Sequence, residues 1–178
     1  MAWRVPAVRR RAGRRRLQQL NVPLSPLDTS QGISTSVVQL VDGAGAAKQT
    51  AWIREIVASK RTLYAGSYSL CQVSGFDGPC VKVAFPLPNG SANVIMRSES
   101  APDDSFTGRS AGTRFGDPGF YFFVEAGLDR GWARYLKALK EDIRVYVDPC
   151  GQLRADHNLQ IWGATFLRLH YRMRRRTA

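Results

Sequence analysis

Phe166-Leu167-Arg168-Leu169-His170-Tyr171-Arg172-Met173-Arg174 alternates apolar and polar side chains, and the polar set is almost wholly basic. Successive side chains of an extended strand point to opposite faces. Read as a strand, the stretch sets Leu167, Leu169, Tyr171 and Met173 on one face and Arg168, His170, Arg172 and Arg174 on the other. It predicts a strand that buries an apolar face and presents a cationic stripe. Alternate residues along it lie roughly 7 Å apart, a loose match to the phosphates of an extended single strand of nucleic acid.

The same kind of reading extends toward the N-terminus. Ile143, Val145 and Val147 alternate before Asp148-Pro149 turns the chain, and Val81-Lys82-Val83-Ala84-Phe85 alternates until Pro86, Pro88, Asn89 and Gly90 end it. Val94-Ile95-Met96 begins a further strand, and Phe120-Tyr121-Phe122-Phe123-Val124 is a continuous apolar run that fits a strand buried on both faces. Ile33–Val41 and Arg61–Val73 are rich in β-branched and aromatic residues, the second with a hint of alternation around Gly66. Residues 99–119, with Pro102, Asp103, Asp104, Gly108, Gly112, Gly116, Asp117 and Pro118, read as a long surface loop.

Two segments carry helical spacing. In Asp129–Leu139, Asp129 can cap while Trp132, Tyr135, Leu136 and Leu139 recur at i, i+3, i+4 and i+7. Trp52, Ile53, Ile56 and Val57 suggest a shorter helix, although Thr50–Val57 also suits a strand. The expected fold is mainly β, with about eight short strands and small helices in the connections.

Charge divides the chain more sharply than hydropathy does. Residues 1–20 hold seven arginines (Arg4, Arg9, Arg10, Arg11, Arg14, Arg15, Arg16) and no acid. Residues 168–178 hold five more (Arg168, Arg172, Arg174, Arg175, Arg176), again with no acid. These twelve account for the whole net charge of +12, because the residues between them carry 14 basic and 14 acidic side chains. All twelve are arginine, whose planar guanidinium matches phosphate oxygens in pairs and stacks on bases, as a lysine ammonium does not. Two basic ends on a neutral body imply a polyanionic partner.

The expected organisation is an arginine-rich, disordered arm over residues 1–20, a linker over 21–31 containing Pro23 and Pro26, and one folded domain over 32–178. The 44% hydrophobic content and 18 aromatic residues suffice for one core, and 178 residues are too few for two sturdy ones. No run of about 18 apolar residues suggests a membrane span. The basic N-terminus lacks the apolar stretch of a secretory signal, and its arginine clusters break the amphipathic face that a mitochondrial presequence needs. Cys71, Cys80 and Cys150 with His157 and His170 make no zinc-ligand pattern and read as free thiols in a reducing compartment.

Enzymatic motifs are lacking. Gly43-Ala44-Gly45 is not followed by the Gly-Lys-Ser/Thr of a phosphate loop, and no Gly-x-Ser-x-Gly elbow occurs. Asp103-Asp104 suggests a helix start, a turn or weak metal contacts, and no spacing rule pairs Cys150 with His157. The reading is of a non-enzyme that needs no cofactor, resident metal or small-molecule substrate.

The basic arm, proline-marked linker and neutral strand-rich domain together resemble the coat proteins of small plus-strand RNA plant viruses of the bromovirus, ilarvirus and oleavirus group. The most specific piece is Arg9-Arg10-Arg11-Ala12-Gly13-Arg14-Arg15-Arg16, similar to the interleaved Arg/Ala arms of bromovirus coats. The resemblance implies an eight-stranded antiparallel jelly-roll sandwich, many copies assembled into a shell, packaged single-stranded RNA, and location in the virion or, during assembly, the host cytoplasm. The Pro-Thr-x-Arg-Ser-x-x-Tyr element by which alfalfa mosaic virus and ilarvirus coats grip the 3′ end of their RNA is absent, which leaves charge-driven packaging but not sequence-specific activation. The alternative is an RNA-binding structural component of an organellar ribosome or other ribonucleoprotein. Such proteins usually spread their basic residues over the body. A DNA-binding factor would need a recognition helix, for which Asp129–Leu139 offers mainly Arg130, Arg134 and Lys137.

Overall fold

The computed structural model describes residues 31–125 and 130–175. Eleven strands make up its regular structure: β1 (Ile33–Val41), β2 (Ala47–Ile56), β3 (Thr62–Cys71), β4 (Cys80–Leu87), β5 (Gly90–Ser100), β6 (Phe106–Arg109), β7 (Phe120–Glu125), β8 (Gly131–Tyr135), β9 (Leu139–Val147), β10 (Leu153–Ile161) and β11 (Ala164–Arg172). All pair antiparallel in one sheet, in the order β1-β2-β3-β4-β5-β6-β9-β10-β11. The sheet forks at β5. Its first half, Gly90–Val94, pairs with β7, which pairs with β8, and its second half, Arg97–Ser100, pairs with β6.

The register places one set of side chains on a common inner face. Trp52 stands opposite Gly66, Tyr68 opposite Val83, Val83 opposite Val94, and Val81 opposite Met96. Trp52, Val83, Val94 and Met96 form the buried core, with Tyr64, Tyr68, Val81, Phe85, Phe120 and Ile143 packed against them. Aromatic rings surround Trp52: Tyr68 stacks at 5.4 Å, while Tyr64 at 5.5 Å and Phe85 at 5.7 Å approach edge-on. Glycine at position 66 makes this possible. A Cβ there would lie 2.6 Å from Trp52 Cζ2 and 2.8 Å from the Ala84 carbonyl oxygen, so any side chain would lift the indole off the sheet.

The sheet curls, bringing β2 and β11 together although six strands separate them in the sheet order. The Arg54 guanidinium lies 5.0 Å from the Trp52 ring centre, 5.4 Å from Tyr64 and 6.0 Å from Tyr171 of β11, and Arg54 Nη1 donates to Tyr64 Oη at 2.8 Å. A cation so placed exchanges water for ring faces and a hydroxyl. A second cluster occupies the outer face. Tyr121 is buried beside Phe115, Phe123 and Tyr135, its hydroxyl donating to the Asp117 carbonyl at 2.5 Å and accepting from Gly116 N–H at 3.0 Å.

Several expectations need correction. No helix occurs among the described residues. The described part of Asp129–Leu139 is β8, a turn and the start of β9. Its helical spacing comes from four residues, whereas β8 is held by pairing of Tyr121 with Tyr135 and Val124 with Trp132. Thr50–Ile56 is strand, with Trp52, Arg54 and Ile56 shielded and Ile53 exposed, and Val57 begins the turn that follows. The 99–119 loop contains β6, and β7 is exposed at Phe123 and Val124 rather than buried on both faces. The fold is mainly β and antiparallel as expected, but the eleven described strands pair mostly with chain neighbours in one curled sheet. The two Greek keys of the expected eight-stranded jelly-roll sandwich are not seen among the described residues.

Candidate nucleic-acid interface

Strand β11 keeps the alternation that its sequence predicts. Leu167, Leu169, Tyr171 and Met173 are partly covered, and Arg168, His170, Arg172, Arg174 and Arg175 are exposed. The ladder continues past the strand, where Met173 N–H donates to the Leu153 carbonyl at 2.9 Å and Gln152 Nε2 donates to the Met173 carbonyl at 2.6 Å. That ties the chain to the sheet as it leads into Arg174 and Arg175. Arg172 Nε donates to Gln152 Oε1 at 3.2 Å, a neutral partner that leaves its charge uncompensated. His170 pairs with Asp156 across the strands.

The outer face of β9, β10 and β11 forms a groove of about 700 Å³, lined among others by Arg109, Lys140, Asn158, Gln160 and Arg168. Three acids also line it, and each has a partner: Asp142 accepts from Arg109 Nε at 2.7 Å, Asp156 faces His170, and Glu141 faces His157. Among the described residues, Lys140 and Arg168 have no acidic partner within salt-bridge distance, so the groove offers two unpaired cations beside several amide donors and acceptors. Arg168 stands opposite Asn158, without an acid across the strands. Polar lining of this kind suits a phosphate backbone more than an apolar ligand.

Elsewhere on the body five further cations are matched by acids in place. Lys48 pairs with Asp42, Arg97 with Glu99, Arg114 with Asp117, Arg144 with Asp103 and Arg154 with Asp148. Such pairs add little stability at a surface, but they cancel the field that would otherwise spread over the body. Asp103 sits in a turn, where Ser105 Oγ and N–H and then Arg144 hold its carboxyl below the usual carboxylate range. Among the described residues no group of three His, Cys, Asp or Glu is placed to hold a metal ion, and no helix is long and apolar enough to cross a membrane. Cys150 is exposed in the β9–β10 turn, while His157 lies on the inner face with Nε2 2.5 Å from Glu141 Oε1.

No family model, curated protein or solved structure matches this chain.

Arg168, Arg172, Arg174 and Arg175 are therefore brought to one edge of the sheet. Arg4, Arg9, Arg10, Arg11, Arg14, Arg15, Arg16 and Arg176 lie outside the described residues. Arg109 escaped the sequence reading because β6 did, and the groove beside Lys140 because β10 did, although Leu153, Ala155, His157, Leu159 and Ile161 alternate through it. Replacing Arg168 and Arg172 together by Gln is expected to weaken single-stranded RNA binding regardless of RNA sequence. The slope of log affinity against log salt should fall by about 1.4, since each single-strand phosphate contact contributes about 0.7. Filter binding over a salt series measures both.

The inner side of β11 has its own pH signature. Burial pushes the Tyr171 phenol up to about 12, with Tyr64 adding to the rise and Arg54 opposing it. A phenol raised above its ordinary value keeps its proton in the folded chain at a pH where the unfolded chain has lost it. Stability is thus intact below about pH 10 and is lost as pH climbs toward 12. Burial raises Tyr68 in the same direction. Tyr171→Phe should flatten this alkaline decline, measured as the urea midpoint across the series.

Proposed function

We propose that this chain is the coat subunit of an RNA-containing shell: it self-assembles in many copies and packages single-stranded RNA through its terminal arginines. The observation that carries the reading is the segregation of charge. Twelve arginines at the ends supply a net charge of +12, and the rest of the chain sums to zero. The ion pairs across the body support it, as does the exposed arginine edge of β11.

Physical reasoning connects the layout to the task. A 20-residue segment, fully extended, reaches at most roughly 70 Å, enough to leave a shell's inner surface and enter packed RNA. A neutral body lets copies approach one another without mutual repulsion. Exposed apolar side chains such as Val37, Val38, Leu70, Trp132 and Trp162 offer surface for contacts between copies. Many copies on one RNA turn modest affinity per arm into firm retention. The reading needs a neutral, self-associating body with cationic ends, and a two-sheet jelly roll is not essential to it. A ribonucleoprotein component is the weaker reading, because basic residues on such a body would be spread rather than matched by acids.

Expression with and without residues 1–20, followed by electron microscopy and measurement of co-purifying RNA, tests the proposal. The intact chain should yield RNA-filled particles and the shortened one empty shells or unfilled assemblies. An intact chain that stays monomeric and RNA-free at low salt would sink it.

A further inference from the structure

Three strands of the described sheet have an unpaired edge: β1, β8 and β11. Two of these edges carry arginine, at Arg134 in β8 and at Arg168 and Arg172 in β11. The third differs. Ile33-Ser34-Thr35-Ser36-Val37-Val38-Gln39-Leu40-Val41 holds no charge and no proline over nine residues. Both of its faces are open: Val37 on the inner side is 61% exposed and Val38 on the outer side 58%. The outer patch continues through Leu40 and onto Ile53 of β2. Exposed edges of natural sheets are usually blunted by lysine, proline, a bulge or brevity, because a long apolar edge recruits another strand. Apart from a register shift at its last step, between Leu40 and Val41, β1 has none of these devices.

We propose that β1 is a self-association strand, pairing antiparallel with β1 of a second copy about a two-fold axis near Val37. This deepens the shell reading by naming a contact between subunits. Charge selects the occupant. Pairing β1 with β11 of another copy would bring Arg168 and Arg172 against an apolar patch and desolvate them without partners. It would also be a head-to-tail contact, which need not close, whereas β1 on β1 closes as a dimer. The arginines upstream of Ile33 favour the antiparallel arrangement. Eight steps along a strand place the two Ile33 residues roughly 27 Å apart, well beyond the screening length of about 8 Å at physiological salt. A parallel pairing would start both N-terminal segments from neighbouring points on the sheet edge.

The test uses the full chain in high salt, which strips RNA, with mass measured by sedimentation. The unaltered chain should be a dimer or larger at tens of micromolar. Val38→Lys with Leu40→Lys, both at exposed positions, should be monomeric with unchanged circular dichroism and should still bind single-stranded RNA. Should that variant misfold, Val37→Cys in a Cys150→Ser chain keeps the question open to measurement: two copies should cross-link through position 37 on mild oxidation. A monomeric unaltered chain, a lysine variant with the parent's mass, or no cross-link at position 37 would overturn the proposal. So would a chain lacking residues 1–20 that dimerises while the full chain does not, since its own N-terminal segment would then be the occupant. A β1 dimer that carries no RNA at low salt supports this contact and counts only against RNA packaging. An RNA-binding monomer overturns this contact alone.

Discussion

Removing residues 1–20 should lower affinity for single-stranded RNA by roughly 10⁴-fold at 0.1 M salt, the largest effect expected of any change to this chain. The magnitude follows from counting phosphates. Seven arginines lie in this segment with no acid among them. Each phosphate they neutralise releases condensed counterions, contributing about 0.7 to the salt exponent on a single strand. Seven contacts give an exponent near 5, which at 0.1 M salt corresponds to between four and five decades. The shortened chain keeps the β11 edge, so weak residual binding should persist there. Replacing the seven arginines with lysine preserves the charge and most of the salt dependence. It should lose the part of affinity that comes from paired guanidinium bonds and stacking on bases. Fluorescence anisotropy with a short unstructured RNA distinguishes the three chains.

The second large effect concerns stability. Trp52→Ala should cost about 3–5 kcal/mol, the usual range for truncating a buried aromatic side chain. Trp52 is 2% exposed and touches Tyr64, Tyr68 and Phe85, while Arg54 stacks on its ring. Truncation opens a cavity and also leaves the Arg54 cation without one of the rings that replace its water. The loss should therefore exceed that of Val83→Ala in the same cluster. Urea unfolding with an unchanged m-value measures it. Trp52→Phe, which retains a ring against Tyr68, should recover part of the difference.

Legibility in the sequence followed the physics of each segment. Ile33–Val41 and Phe120–Val124 were readable because β-branched and aromatic residues leave few alternatives to strand. The β11 alternation was readable because its two faces differ so sharply in polarity. Asp129–Leu139 misled because Trp132 and Tyr135 satisfy a helical spacing by themselves. Only the partner strand β7 reveals that they lie on opposite faces, with Trp132 exposed and Tyr135 against Tyr121. Strand β6 was hidden by its brevity and by Gly108, whose value is its place between β5 and β9. Of the candidate site, the terminal arginines were plain from charge alone. The groove was not, since Arg109, Lys140 and Asn158 come from three strands and meet only through pairing across the sheet.

The salt dependence of RNA binding tests most directly the claim that the terminal arginines, and not the body, hold RNA. For the intact chain the slope of log affinity against log salt should be about −8 with all twelve terminal arginines engaged, falling to about −3.5 when residues 1–20 are removed. A slope of about −3.5 or shallower for both chains would contradict it.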